Sequence, residues 1–208
     1  YSYLLFMDDD AAVVRTSFIK SYWEHRQDAA VIWGPLPTPL SAPKRGYELR
    51  YLYELNGQST SLTQKNKHPY AAFTAFNVMI HKTVFEKVQF DTRCSLYGYE
   101  DTLFGLMLLQ HKVPLRHIDN PLIHTGIDKS TDFLQKTETA LRSLSMLGAP
   151  LTNYVGVSIA YKRIERIKFA CLLRTMSKVC RPLFRKQLLS HKPALYLFKL
   201  FKLFFFDH

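Results

Sequence analysis

Hydrophobic residues in this chain fall into short unbroken blocks separated by stretches with helical spacing, the alternation expected of an α/β domain. The first block is Tyr3-Leu4-Leu5-Phe6-Met7, and it stops at Asp8-Asp9-Asp10. A continuous apolar run this short predicts a strand buried on both faces, as in a parallel sheet. Residues 11–26 predict a helix with Val14, Phe18, Ile19 and Tyr22 along one face. Residues 29–33 predict the next strand, and Gly34-Pro35-Leu36-Pro37-Thr38-Pro39 then breaks regular structure. Residues 47–55 predict a surface helix stopped by Asn56-Gly57, and residues 58–69, with Lys65, Lys67 and His68, read as a polar loop.

Residues 73–81 predict a strand and residues 82–88 a short helix. Leu103, Leu106, Met107 and Gln110 recur at helical spacing, so Glu100 and Asp101 fall at the start of that helix. Negative charge is favoured there by the helix dipole. Two short strands are expected at 113–118 and 121–124. Residues 130–147 predict a helix capped by Ser130-Thr131-Asp132 and stopped by Gly148. Residues 161–186 mix Lys and Arg with apolar residues such as Ile164, Ile167, Phe169 and Met176, predicting one or two amphipathic helices broken at Pro182. Residues 194–206 predict a last helix with Lys199 and Lys202 on a narrow polar edge.

Composition narrows the class. The chain has 208 residues, 47% hydrophobic and 22% charged, which is globular rather than disordered. Net charge is +11, but residues 151–208 carry 12 Lys/Arg against 2 Asp/Glu, a net +10. The body, residues 1–150, is therefore nearly neutral, which argues against a nucleic-acid-binding body. Two domains are expected: residues 1–150 and a basic helical tail, 151–208. Cys94, Cys171 and Cys180 form no Cys-x-x-Cys pair and cannot all be paired, which fits a reducing cytoplasm. No uncharged apolar run approaches the roughly 20 residues that a spanning helix needs. The chain opens on Tyr1 and within an apparent strand, so this reading takes it as a fragment with more chain upstream.

The chemistry centres on the aspartates. Side chains alternate along extended backbone, so Asp8 and Asp10 point the same way if the strand continues through them. Two convergent carboxylates are costly unless a cation compensates them, and Mg²⁺ or Mn²⁺ shared with substrate phosphates would do so. The competing explanation is a helix start with Asp10 as its N-cap.

At this point the chain resembles glycosyltransferase family 2, the inverting sugar transferases of the GT-A fold. Asp8-Asp9-Asp10 resembles that family's Asp-x-Asp motif. Residues 73–82 followed by Phe85 resemble the strand that walls its sugar pocket. Phe90-Asp91 through Tyr97-Gly98-Tyr99-Glu100-Asp101 resembles its aromatic–Glu–Asp segment, and Ile123-His124 its late metal-ligand histidine. The likeness covers residues 1–147, the back half of such a catalytic domain. The strand–helix repeats that hold the nucleotide base in the family have no counterpart here, so the fragment alone is not expected to be fully active.

The resemblance implies a mixed GT-A sheet flanked by helices. It also implies transfer from a nucleotide-diphospho-sugar, a UDP-sugar first, to a glycan or lipid-linked acceptor. Asp10 would ligate a divalent cation, Mn²⁺ or Mg²⁺, with Asp8 and His124 as further ligands. Asp8, Asp9, Asp10 and Asn77 would contact the donor. Asp101 would be the base and Glu100 would orient the acceptor. His124 could equally be a structural histidine near a strand end, and His117 is its rival by position. Basic charge with Phe and Leu in residues 190–208 suggests a helix in the interface of the inner face of the cell membrane. The alternative is a helix packed on its own domain or on a second copy. Two other functions stay open: a non-catalytic basic module for membrane or nucleic acid, and a metal-dependent phosphotransferase or hydrolase.

Overall fold

The structure, a computed structural model, describes residues 1–37, 41, 43–58, 60–71, 73–166 and 170–206. Thr38, Pro39, Ile167, Phe169 and residues 207–208 lie outside the described residues. The fold is mixed α/β, a mixed sheet with flanking helices. The strands are β1 (Tyr3–Met7), β2 (Ala11–Val13), β3 (Val31–Trp33), β4 (Asn77–His81), β5 (Leu115–His117) and β6 (Leu122–His124). The helices are α1 (Phe18–His25), α2 (Glu48–Gln58), α3 (Leu62–Lys67), α4 (Lys82–Lys87), α5 (Glu100–Gln110), α6 (Ser130–Leu147), α7 (Gly156–Arg166), α8 (Ala170–Leu188) and α9 (Leu195–Phe205).

The chain forms two compact units. The first comprises Tyr1–Ser41, Glu54–Asp91 and Glu100–Ile127; the second comprises Ala42–Tyr53, Thr92–Tyr99 and Asp128–His208. The units interleave along the chain: α6 and the tail share the second unit with two earlier segments, residues 42–53 and 92–99, that the expected 1–150 domain would have held.

The first unit is built on a sheet of order β1-β4-β3-β5, with β4 antiparallel to both neighbours and β3 parallel to β5. Side chains alternate across it. Val31, Trp33, Val78, Ile80 and Leu115 pack one way with Phe73, Phe104 and Leu108. Ile32 and Met79 face the other way, onto Phe18, Tyr22, Phe76 and Leu122. Strand β1 is an edge strand with one antiparallel partner, not a strand buried on both faces, and Leu5 and Met7 are exposed.

Other expectations also change in this unit. Residues 11–13 form β2, paired with β6, rather than the start of a helix. Val13 and Val14 are β-branched and favour extended backbone. Helix α1 begins only at Phe18. Helix α2 runs through Asn56-Gly57 instead of stopping there, and the supposed loop 58–69 holds α3. Ser61 caps α3 by accepting from the Gln64 N–H at 3.2 Å.

The second unit is helical. Leu49, Phe133, Leu134, Leu188, Phe198 and Phe201 form its core. Helix α6 has the expected bounds and stops at Gly148, which has φ +62°. Ser130 does not cap it; its Oγ is turned inward and accepts from the Leu49 N–H. Pro182 sits inside α8 and does not break it, because packing against α9 outweighs one missing N–H bond. Helix α9 departs furthest from expectation. Phe198, Phe201, Phe204 and Phe206 are buried, with Phe204 stacked on Phe184. The apolar face predicted to lie in a membrane is spent on the helix's own unit. Lys202 lies over Tyr53 and Phe198, and burial lowers its pKa, so it is not a solvated edge residue. Among the described residues, no helix is long and apolar enough to cross a membrane.

Candidate active site

Strand β1 ends at Met7, and Asp9 and Asp10 form a turn before β2 begins at Ala11. The alternation argument for Asp8 and Asp10 therefore does not apply, since the strand does not continue through them. The reading of Asp10 as a helix N-cap fails too, because a strand follows it. Pairing of β2 with β6 sets Ala11 opposite His124. That register brings the aspartate turn to the histidine across more than a hundred positions. Thr125 holds the turn: its backbone N–H and its Oγ1 both donate to the Asp10 carbonyl, at 2.8 and 2.7 Å. A Cβ at Gly126 would run into the Asp10 carboxylate, so only glycine lets the two strands close here.

His124 is 4% exposed and both ring nitrogens face carboxylates. Nε2 lies 3.2 Å from Asp10 Oδ2, and Nδ1 lies 3.0 Å from Glu54 Oε1. Phe76 packs edge-on against the ring. The other Asp10 oxygen, Oδ1, is buried and finds no hydrogen-bond partner among the described residues. Asp8 joins the group through its field. Its carboxyl is raised above the usual range by loss of water first, then by Asp10 and Asp9, while His124 pulls it down.

The second pair arrives on α5. Gly98 and Tyr99 both have positive φ, +99° and +68°, so the tight turn expected before the acidic pair is present. Asp101 accepts a hydrogen bond from the Ala75 N–H, yet its carboxyl is pushed up to about 6. Burial is the main cause, and the negative charges of Glu100 and Asp8 add to it. A helix start should favour the charged form; burial overrides that here. Glu100 Oε2 is buried and lacks a partner among the described residues. The charge of Asp8 raises Asp101, and that of Glu100 raises Asp8, so the two acidic segments face a common region of the first unit.

Fit to a divalent cation can be judged from these atoms. Among the described residues, no three His, Cys, Asp or Glu side chains close into a ready-made cage. Asp10 and His124 offer two donors side by side, and the orphaned Oδ1 adds a free lone pair. Mg²⁺ and related hard cations are held this way, by one or two carboxylates with phosphate oxygens filling the rest. Asp8 does not share the Asp10–His124 contact, so its expected role as a direct ligand is reduced to electrostatic support.

Asn77, expected to contact the donor, and His117, the rival of His124 by position, are both buried among other partners. Asn77 is 1% exposed, with its amide fully engaged: Nδ2 donates to the Pro35 and Asn120 carbonyls, and Oδ1 accepts from the Tyr22 hydroxyl at 2.6 Å. Both Nδ2 hydrogens and one Oδ1 lone pair are spent on knitting the loops beside Gly34, inside the unit rather than at its surface. His117 is engaged at one nitrogen: Nε2 meets the Pro69 carbonyl and the ring lies against Trp33, burial lowers its pKa, and Nδ1 is buried with no hydrogen-bond partner among the described residues. Glu54, which meets the other nitrogen of the His124 ring, is the neighbour of the site that motif reading missed. It lies in α2, outside every recognised segment, and no local spacing marks it. No protein-family model and no curated protein sequence matches this chain.

Proposed function

We propose that this chain carries the catalytic face of an inverting, cation-assisted sugar transferase similar to glycosyltransferase family 2, with a GT-A type of sheet. The observation that carries the reading is that the Asp10–His124 pair and the buried Asp101 carboxyl lie in one unit and are linked electrostatically through Asp8. The donor is a nucleotide-diphospho-sugar, with a UDP-sugar the first to try, and the acceptor is a glycan or a lipid-linked sugar.

Asp10 and His124 Nε2 would hold Mn²⁺ or Mg²⁺, which supplies Lewis-acid stabilisation of the leaving diphosphate. Asp101 takes the proton of the acceptor hydroxyl as that oxygen bonds to the anomeric carbon. The bond from that carbon to the diphosphate oxygen breaks, and its electron pair leaves with the diphosphate. One displacement from the opposite face inverts the centre. A carboxyl raised to about 6 is still ionised at neutral pH and is a stronger base than an ordinary aspartate. Glu100, with an oxygen left over, accepts from a second acceptor hydroxyl and orients it.

The test is a panel of UDP- and GDP-sugars with and without acceptor glycans, in Mn²⁺ and in EDTA. Cation-dependent release of nucleoside diphosphate that accelerates with acceptor supports transfer. Release indifferent to acceptor would favour a hydrolase. No release from any donor, with Asp10→Asn altering only stability, would overturn the proposal.

A further inference from the structure

The proposed reaction uses Asp10, His124, Glu100 and Asp101, and leaves Glu54 without a task. Its position is unusual for a glutamate. The side chain is 13% exposed, and both carboxylate oxygens approach one nitrogen, His124 Nδ1, at 3.0 and 3.1 Å. The ring it touches is 5% exposed by side chain, wedged against Phe76 and fixed at the other end beside Asp10. A buried carboxylate aimed at a single imidazole nitrogen sets which nitrogen carries the hydrogen.

We propose that Glu54 is the positioning residue of the cation site: it holds the proton on His124 Nδ1 and so leaves Nε2, the nitrogen beside Asp10, free to bind a metal. This rests on the cation reading of Asp10 and His124 given above. An ionised carboxylate only accepts, so the Glu54 contact requires Nδ1–H. Without Glu54, a carboxylate still stands at the other end of the ring: Asp10 Oδ2, at 3.2 Å from Nε2. The proton would then move to Nε2, the nitrogen the cation needs, and Asp10 would be occupied by it. Glu54 therefore guards both ligands at once. It also raises the basicity of the ligating nitrogen, as carboxylates behind metal-bound histidines do.

The experiment titrates Mn²⁺ alone into the protein and its variants, reading free Mn²⁺ by electron paramagnetic resonance. In parallel, ¹⁵N NMR of the His124 ring is recorded without metal, at a pH where the ring is neutral. Glu54→Leu should weaken Mn²⁺ binding by roughly 10- to 100-fold and move the ring hydrogen from Nδ1 to Nε2. Glu54→Gln keeps an acceptor oxygen at Nδ1, so it should retain the Nδ1–H form and lose less affinity; it also serves if Glu54→Leu does not fold. A ring with the same tautomer in the parent and in Glu54→Leu overturns the inference, as does equal Mn²⁺ affinity in both. A parent protein that binds no Mn²⁺ while its ring is Nδ1–H overturns the cation reading instead, and leaves the hold of Glu54 on the ring standing.

Discussion

Acidic side chains are handled in opposite ways in two regions of this molecule. In the helical unit they are neutralised by cations: Asp128 by Lys136 at 2.8 Å, and Glu138 by Arg185 at 2.7 Å. Lys136 is held above its ordinary pKa chiefly by its bond to Asp128. The sheet unit does the same away from its acidic face, pairing Asp28 with Arg116 and Asp119 with Arg15. At that face the practice stops. Among the described residues, no Lys or Arg pairs with Asp8, Asp9, Asp10, Glu100 or Asp101, and His124 is shared between Asp10 and Glu54. The carboxyls of Asp8 and Asp101 are raised instead of lowered. Nearly all of the chain's positive excess lies in residues 151–208, and none of the described Lys or Arg residues is paired with this cluster of acids. Grouped carboxylates of this kind store unfavourable charge, which the proposed divalent ion and proton-taking step would both use.

The sharpest way to break this contrast is at Asp101. Asp101→Asn keeps the shape and the Ala75 contact but removes the base. Transfer should fall by roughly 10²- to 10⁴-fold while donor affinity stays within a few-fold. Turnover close to that of the parent would place the base elsewhere and reduce the acidic face to an electrostatic feature.

How far the sequence carries depends on whether a residue's role is set locally. Helix α6 was legible because residues 130–147 carry a long apolar period and Gly148 ends it. The meeting of Asp10 with His124 was legible only through family resemblance, because it depends on a three-residue pairing of β2 with β6 that no local pattern announces. The surroundings of Asn77 were illegible for the same reason: its partners, Tyr22, Pro35 and Asn120, come from three distant segments. Glu54 carries no signal at all, since one Glu in an exposed-looking helix is ordinary. The phenylalanines of α9 read as a membrane face because a hydrophobic stripe does not name its partner. Phe133, Phe184 and Leu188 supply it.

The next effect is smaller and turns on pH. In the free enzyme, kcat/KM should rise with pH through a midpoint near 6, the Asp101 value, rather than near the ordinary 3.8. The same shift has a stability consequence of definite sign. An aspartate whose folded value lies above its unfolded value binds its proton more tightly when folded, so stability falls as pH rises from about 4 to 6. Above that window the folded protein carries the full penalty of a buried charge. Asp101→Asn removes it, and should therefore raise Tm at pH 8 by on the order of 2–4 °C for each kcal/mol relieved. The gain should vanish below pH 4, where Asp101 is protonated in both states. A variant less stable at pH 8 would mean that the ionised carboxylate is supported after all.

The smallest expected effect lies in the other region, and the contrast is sharpened by its smallness. Glu138→Gln removes one partner of a pair in which Arg185 is 43% exposed. Pairs this open to water contribute about 0.2–1 kcal/mol, because solvent screens them and two long side chains lose freedom to form them. Tm should drop by no more than about 2–4 °C at low salt, and less in high salt. Transfer activity and its midpoint near pH 6 should not move. Acids of the same type should thus differ in what their removal does: in the helical unit it releases a cation that water can solvate, while at the acidic face it removes the group the proposed transfer needs. Loss of transfer in Glu138→Gln without loss of folding would show that the neutralised acids are part of the site, and the contrast between the regions would collapse.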